Sequence, residues 1–212
     1  AISLPMTLSR LIGSFCSFLE PMIMLLHKNA TQVHNIVEMY GQINGYILPI
    51  LTMPTFLTIA LSNFLLPSFT YHYSRHHYHQ AKKLCINILF CCFGVGIFCS
   101  MCCFFFPDTL LTIFYHNNTC SPSLKQLAIP FAFYSLQPCL SSILHALSLS
   151  KKSVYDTLSG CLIRLCIVGF LSSVLQGNAL LIGLCMGMLT TTFLHAIRVW
   201  HAFQTLKKNA LF

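Results

Sequence analysis

Residues 84–106 read LCINILFCCFGVGIFCSMCCFFF and contain no Asp, Glu, Lys or Arg. An α-helix needs about 20 predominantly apolar residues to cross a bilayer, so this stretch predicts a membrane-spanning helix. A membrane β-strand needs only about 10 residues and alternates polar with apolar side chains, which this stretch does not do. Because unpaired backbone polar groups are prohibitive in lipid, a helix is the expected structure.

The composition of the whole chain agrees with this stretch. Of the 212 residues, 56% are hydrophobic and 8% are charged, whereas a soluble domain is about 45–50% apolar and about 25% charged. Twelve Lys and Arg with four Asp and Glu cannot cover a soluble surface. We therefore predict an all-α polytopic membrane bundle that forms a single lobe over residues 1–212, with no soluble domain. The expected spans are about 3–26, 43–66, 84–106, 126–149, 154–175 and 179–200.

Basic residues are distributed unevenly between the two sets of connections. Lys28 and Lys125 lie on one side. The other side holds Arg75, Lys82, Lys83, Lys151, Lys152, Arg198, Lys207 and Lys208. This bias predicts that the second side, with the C-terminus, is cytoplasmic. Membrane topology thus accounts for the net charge of +8, and no nucleic-acid partner is predicted.

Four ionisable residues fall inside or at the ends of predicted spans: Arg10, Glu20, Asp156 and Arg164. Such a residue costs about 2.5–3.5 kcal/mol at the centre of a span, so it usually pairs, faces the bundle interior or lines a water-filled path. Arg164 lies mid-span, and two interpretations stay open for it. It is an interhelical clamp to a carbonyl or to Glu20, or a cation that faces a cavity for an anionic or polar group. Arg10 is close enough to the inner end to snorkel.

Prolines within the spans predict bent helices. A proline removes one backbone donor and kinks a helix, and membranes tolerate this where neighbours satisfy the freed carbonyl. The expected kinks are at Pro21, Pro49, Pro54, Pro130 and Pro138. Bent helices are common in membrane proteins that switch conformation and also occur in static bundles.

Histidines crowd the connection after the second span. His72, His76 and His79 would share one face if that helix continues past Pro67, and this spacing can bind a metal. His72-x-x-x-His76-His77 also resembles one histidine box of the membrane di-iron desaturases. Such a site needs several boxes, and the remaining histidines are scattered, so an interfacial helix end is favoured and no metal or cofactor is predicted. The cysteines are expected to pack helices rather than form a disulfide framework.

Several segments together resemble a known family. They are Leu8-Ser-Arg-Leu-Ile-Gly-Ser14 leading to Leu19-Glu-Pro21, Tyr40-Gly-Gln-Ile-Asn-Gly-Tyr46, Leu48-Pro-Ile-Leu-Thr-Met-Pro54, Leu61-Ser-Asn-Phe-Leu-Leu-Pro67, Leu127-Ala-Ile-Pro-Phe131, and Leu140 through His145-Ala146 to Lys151-Lys152. In order and spacing they are similar to the second half of the stage V sporulation protein B-like proteins. These form the polysaccharide-transport branch of the multidrug/oligosaccharidyl-lipid/polysaccharide (MATE-like) exporter superfamily. The cysteine content and the His/Tyr-rich segment 71–79 are unusual for that branch.

The resemblance implies two helical lobes around a central cavity that opens alternately to each side of the membrane. This chain would be the second lobe, and the first lobe of the same protein would complete the cavity. Arg10 matches the arginine at the start of that lobe's first helix, and Glu20 lies in its Leu-Glu-Pro element. The stretch to Pro67 would end a helix at the cytoplasmic face. The chain starts at Ala1 and enters a span at once, so we expect it to be a piece of something longer.

The function implied is a bacterial inner-membrane flippase for a lipid-linked saccharide, a precursor of cell wall, spore cortex or polysaccharide. Arg10 and Arg164 would meet phosphate or sugar, and Glu20 would hold an arginine or take part in ion coupling. A cation-coupled multidrug exporter is the nearest competing function, disfavoured because Glu20 is the only acidic residue expected in the first four spans. Two functions of another class also stay open, a histidine-box oxidoreductase and a non-transporting membrane scaffold.

Overall fold

The computed structural model describes residues 3–26, 30–175 and 177–209, where all regular structure is helical. The α-helices are α1 (Ser3–Leu25), α2 (Ala30–Gln42), α3 (Leu48–Thr52), α4 (Thr55–Ser74), α5 (Tyr78–Phe105), α6 (Pro107–Tyr115), α7 (Ser121–Tyr134), α8 (Gln137–Ala146), α9 (Ser150–Leu175) and α10 (Asn178–Asn209). A π-helical turn, Ile43–Ile47, joins α2 to α3.

Five helical stretches in the described part of the chain are long and apolar enough to cross a membrane, and a sixth is bent. The five are Thr7–Leu25, Tyr78–Phe105, Ser121–Ala146, Ser150–Ser172 and Asn178–Thr205. The sixth consists of Val33–Thr52 and Thr55–Ser74, which meet at 53°. The chain is therefore an all-α polytopic membrane bundle, as the sequence predicts.

The second span differs most from its predicted bounds. The sequence predicts it at 43–66, but the helix enters it from α2 and continues to Ser74, seven residues beyond Pro67. The expectation that the helix ends at Pro67 is wrong. Pro67 lies inside α4 because one missing backbone donor is tolerated in a helix that packs against neighbours.

Prolines explain the irregular part of this span. Pro49 cannot donate to the carbonyl four residues earlier. The π-turn just before it has a larger radius than an α-helical turn, and the Leu48 N–H donates to the Ile43 carbonyl. Pro54 follows at the break between α3 and α4. The two helices meet at 53° at this break, which is where the sequence predicts a kink at Pro54.

Threonine hydroxyls satisfy carbonyls around that break. Thr52 donates to the Leu48 carbonyl at 2.8 Å, Thr55 to the Thr52 carbonyl at 2.5 Å, and Thr58 to the Thr55 carbonyl at 3.0 Å. A broken helix in lipid needs such local partners for its freed carbonyls. The bend is thus built into the chain between residues 48 and 58.

The remaining three prolines each lie within a single span. Pro21 and Pro130 lie inside α1 and α7, which continue through them. Near Pro138 the helix is interrupted at Ser135–Leu136, and α7 with α8 still forms one span. Kinks at Pro21 and Pro130 stay predictions.

The span of α7 and α8 forms the centre of the bundle. In Ser121–Ala146, 56% of the most apolar window is buried, against 17% in Thr7–Leu25. Two apolar clusters surround this central span. One joins it to α1, α2, α6, α9 and α10, and the other joins α8 to α4, α5 and α10. Helix α1 is therefore peripheral and is held mainly by α9.

Candidate functional site

A buried ion pair links Glu20, near the C-terminal end of α1, to Arg164, near the middle of α9. Arg164 Nη2 donates to Glu20 Oε2 at 2.5 Å, and Arg164 Nε faces Glu20 Oε1. The Glu20 side chain is 1% exposed and that of Arg164 is 19% exposed. Of the two interpretations of Arg164, the clamp to Glu20 is present in this structure. Its partial exposure also leaves it open to a ligand.

Glycines on α10 make room for the Arg164 side chain. A Cβ added at Gly187 would lie 3.1 Å from Arg164 Cβ and 3.3 Å from Arg164 Cδ. One added at Gly183 would lie 3.3 Å from the Arg164 carbonyl oxygen and 2.8 Å from Val168 Cγ2. Gly183 and Gly187 form a small-xxx-small pattern, which lets membrane helices approach closely. This pattern is visible in the sequence but was not among the predicted features.

Arg164 lines a cavity of about 150 Å³ between α1, α7, α8, α9 and α10. Its polar lining also includes Tyr134, Gln137, Thr157 and Thr191. Gln137 Oε1 is buried and accepts no hydrogen bond from any described group. A ligand hydroxyl or N–H would satisfy this oxygen, because a buried acceptor without a donor is unfavourable. The cavity therefore combines a cation with a free acceptor, a set that suits a ligand with both an anionic group and a hydrogen-bond donor.

Arg10 does not take part in this arrangement. Its side chain is exposed on α1, and it is not among the residues that line the cavity with Arg164. The structure thus brings Glu20 and Arg164 together and leaves Arg10 apart. The role predicted for Arg10 with the substrate stays a prediction.

A second buried ion pair was missed from the sequence. Arg198 Nε donates to both carboxylate oxygens of Asp156 at 2.6 Å, and this pair links α9 to α10. The sequence places Asp156 too far from Arg164 for a direct bond, but it did not reveal this partner. Because α9 and α10 form a hairpin, residues equally distant from the turn come together, and Gly177 in the turn lies midway between Asp156 and Arg198 in sequence. That symmetry was the usable signal.

The histidines predicted to share a helix face do not do so. His72 lies in α4, His76 lies in the turn after it with φ 59°, and His79 lies in α5. The positive φ of His76 ends the helix before a three-histidine face can form. Among the described residues no group of three His, Cys, Asp or Glu is arranged to hold a metal.

This connection is an aromatic helix end. His76 Nδ1 lies 2.8 Å from the Tyr78 hydroxyl, and the Arg75 guanidinium carbon lies 4.5 Å from the Tyr71 ring centroid. Tyrosine and arginine in such contacts suit the headgroup region of a membrane. These contacts agree with the interpretation of residues 71–79 as an interfacial helix end.

An acidic residue lies on the helix that leads into the second predicted span. Glu38 is exposed on α2, inside the part of the bent span that begins at Val33. Its carboxylate accepts a hydrogen bond from Gln42 at 3.1 Å. Glu38 precedes the predicted start of the second span at residue 43, so the expectation that Glu20 is the only acidic residue of the first four spans stays a prediction.

Cysteines occupy helix contacts. All twelve are free thiols. Cys92 Sγ of α5 lies 3.0 Å from Cys139 Sγ of α8, and Cys16 donates to the Cys161 carbonyl at 3.6 Å. Small, soft thiols at these positions let α5 meet α8 and α1 meet α9.

The comparison with curated proteins found a similar chain. Stage V sporulation protein B of Bacillus subtilis (strain 168) is 28% identical to this chain over 94% of its length. The resemblance that the motifs indicated is confirmed. The aligned part is 39% of the length of that relative, so the chain spans well under half of it. No protein-family model and no solved structure matches the chain.

Proposed function

We propose that the chain is the second lobe of a bacterial inner-membrane flippase that moves a lipid-linked saccharide by alternating access. The observation that carries the proposal is the Glu20–Arg164 pair beside a polar cavity, with Arg164 near the middle of the membrane-spanning helix α9. An arginine in the middle of a membrane-spanning helix is costly, and such residues commonly mark a substrate or ion path. The similarity to stage V sporulation protein B supports the same function.

Arg164 is suited to bind the phosphate of such a substrate. Its Nε and Nη2 face Glu20, while Nη1 donates to no described group. Arginine binds phosphate through two parallel N–H groups, so a full interaction requires Arg164 to release part of its contact with Glu20. The exchange of Glu20 for phosphate is the step that couples substrate binding to a change between α1 and α9. Glu20, once released, can be protonated or bind a cation.

The sugar would contact the polar wall of the same cavity. Gln137 Oε1 is a free buried acceptor, and Tyr134 lies beside it in the lining. The volume of about 150 Å³ holds a small part of a saccharide, so the cavity must widen during transport. The lipid tail would remain in the bilayer. No covalent chemistry is needed.

Exposed polar residues on the bent span support a partner lobe. Glu38, Asn44 and Asn63 are exposed within Val33–Thr52 and Thr55–Ser74. Polar side chains at this depth are unfavourable against lipid tails, and they suit a water-filled cavity or another protein surface. The first lobe of the same protein, together with membrane lipids, would cover them. The bend at Pro54 would absorb part of the rocking motion.

Binding of a lipid-linked saccharide diphosphate to the chain in nanodiscs tests this function. We expect saturable binding that falls at least tenfold in Arg164→Gln, which loses the cation facing the cavity. Lys125→Gln is the matched control, because Lys125 is an exposed cation at the start of α7 that lines no part of this cavity. Equal affinity in the two variants would contradict the role of Arg164.

The choice of probe separates the competing functions. Binding of lipophilic cations in place of the saccharide would favour a multidrug exporter, for which Glu20 and Glu38 supply acidic residues. Stoichiometric iron or zinc lost in His76→Ala/His77→Ala would favour an oxidoreductase. Binding of none of these probes would favour a membrane scaffold.

The cytoplasmic orientation of the C-terminus is checked separately by protease access to residues 206–212 from the cytoplasmic side.

A further inference from the structure

A second cavity lies at the basic end of the bundle, and none of its lining residues lines the Arg164 cavity. Its volume is about 550 Å³. Its polar lining comes from three helices: Tyr73 from the end of α4, Lys152 from the start of α9, and Arg198, His201 and Thr205 from α10. Nothing in the transport role described above uses it.

Among the described residues, the lining of this cavity includes basic side chains and no carboxylate. Lys152 and His201 are exposed, and Arg198 is 34% exposed. Asp156 pairs with Arg198, but it is 1% exposed and does not line the cavity. Both hydrogen bonds from Arg198 to Asp156 come from Nε. Its other two nitrogens, Nη1 and Nη2, donate to no described group. Asp156 therefore holds the Arg198 guanidinium through Nε, and Nη1 and Nη2 remain available to a ligand.

The backbone holds Lys152 in position at the cavity. Ser148 has φ 60°, and the Leu149 N–H donates to the Leu144 carbonyl at 2.8 Å, which closes the end of α8. Helix α9 then begins at Ser150, so Lys152 lies in its first turn. An anion near this turn also gains from the positive end of the α9 dipole.

We propose that this cavity binds the phosphate of an anionic lipid headgroup. The Lys152 ammonium, the remaining Arg198 N–H groups and the Tyr73 hydroxyl are suitable donors for phosphate, whereas the Thr205 hydroxyl donates to the His201 carbonyl at 3.1 Å. The lining also contains Leu147 and Leu149, apolar side chains that suit the glycerol and upper acyl region of a lipid. Positive charge predicts that this end faces the cytoplasm, where the leaflet carries anionic lipid.

The fluorescence of Trp200 can report which lipids lie at this end of the chain. It is the single tryptophan of the chain and lies between Arg198 and His201 on α10, 65% exposed. The full chain is placed in phosphatidylcholine bilayers with increasing brominated phosphatidylglycerol or brominated phosphatidylcholine. We expect brominated phosphatidylglycerol to quench Trp200 fluorescence at a lower mole fraction than brominated phosphatidylcholine.

Lys152→Gln should reduce this preference about fivefold, the effect of about one basic residue near an anionic membrane surface. Lys83→Gln is the matched control, since Lys83 is an exposed lysine near the start of α5 that does not line the cavity. Lys152 makes no ion pair with any described residue, so this variant leaves the Asp156–Arg198 contact intact. Unchanged thermal unfolding of both variants verifies the fold.

Three results would overturn the proposal. Equal quenching by the two brominated lipids would exclude a headgroup preference. Equal loss in Lys152→Gln and Lys83→Gln would reduce the effect to general surface charge. Displacement of phosphatidylglycerol by inorganic phosphate at equal concentration would identify a soluble phosphate as the ligand instead of a lipid.

Discussion

The two buried ion pairs of this chain differ in depth and surroundings. Glu20–Arg164 joins the C-terminal part of α1 to the middle of α9, whereas Asp156–Arg198 joins α9 to α10 nearer the basic end. Both carboxylates are 1% exposed, but the arginines are 19% and 34% exposed respectively. Arg164 lines a small cavity inside the bundle, and Arg198 lines a larger one at its end.

This difference separates a stabilising pair from one that can exchange partners. Asp156–Arg198 lies in the α9–α10 hairpin, whose two consecutive helices have the most extensive contact of the bundle. Glu20–Arg164 joins helices far apart in sequence, and α1 is mostly unburied. A contact that depends on a peripheral helix is easier to open, so the mid-span pair is the better candidate for a switch.

The largest expected difference is between two charge-free double variants. Glu20→Gln/Arg164→Gln should abolish transport of the lipid-linked saccharide in the intact transporter, because the phosphate loses its cation. Asp156→Asn/Arg198→Gln should retain it. Replacing both members of a buried pair is often nearly neutral for stability, so expression and thermal unfolding should stay close to those of the unaltered chain. Transport by both double variants would show that the mid-span pair is only structural.

Single arginine removal should destabilise both pairs. Arg164→Ala and Arg198→Ala each leave a buried carboxylate without its partner, which costs about 3–5 kcal/mol. The free energy of unfolding in detergent measures this loss. Because Arg198 is the more exposed arginine, water can reach Asp156 more readily and Arg198→Ala should lie at the lower end of that range. An Arg164→Ala variant as stable as the unaltered chain would contradict the burial of Glu20.

A smaller effect is expected from the glycine that accommodates Arg164. Gly187→Ala places a Cβ 3.1 Å from Arg164 Cβ and 3.3 Å from the Gly160 carbonyl oxygen, so α9 and α10 must separate slightly. Overpacking of this kind costs about 1–3 kcal/mol. Gly94→Ala is the control, because an added Cβ there meets nothing within 4 Å and an alanine in a helix gains about 0.5–1 kcal/mol. Thermal unfolding should move in opposite directions, and a shared direction would disprove the close approach.

The smallest effect concerns the free acceptor in the mid-span cavity. Gln137→Met removes a buried Oε1 that accepts no hydrogen bond from the described residues, so stability should stay constant or rise by up to about 1 kcal/mol. Affinity for the lipid-linked saccharide should fall, since its hydroxyl loses an acceptor. Binding titrations in nanodiscs measure this affinity, and thermal unfolding measures the stability. An unchanged affinity would remove Gln137 from the substrate contact.

The fold was largely predictable because hydrophobic length decides it. Charge-free stretches such as residues 84–106 identify spans without knowledge of packing. The second span was predicted less well, since Gly41, Gln42 and Asn44 lower its hydropathy while the helix still forms. Hydropathy detects lipid contact, and this part of the span has a polar exposed face.

The site was only partly predictable. Glu20 and Arg164 were identified because a charge inside a span is unusual, but their pairing depends on how α1 is placed against α9. Asp156–Arg198 could have been found from the symmetry of the α9–α10 hairpin. The two cavities could not be predicted from the sequence, because their shape depends on how side chains from several segments of the chain pack together.

The affinity of Glu20→Gln for the lipid-linked saccharide diphosphate tests the central claim most directly. If Arg164 exchanges Glu20 for the ligand phosphate, removal of the competing carboxylate should tighten binding about tenfold, or about 1.4 kcal/mol. Glu38→Gln, which alters an exposed glutamate outside the cavity lining, should leave the affinity unchanged. Weaker or unaltered binding by Glu20→Gln would contradict the exchange of partners at Arg164.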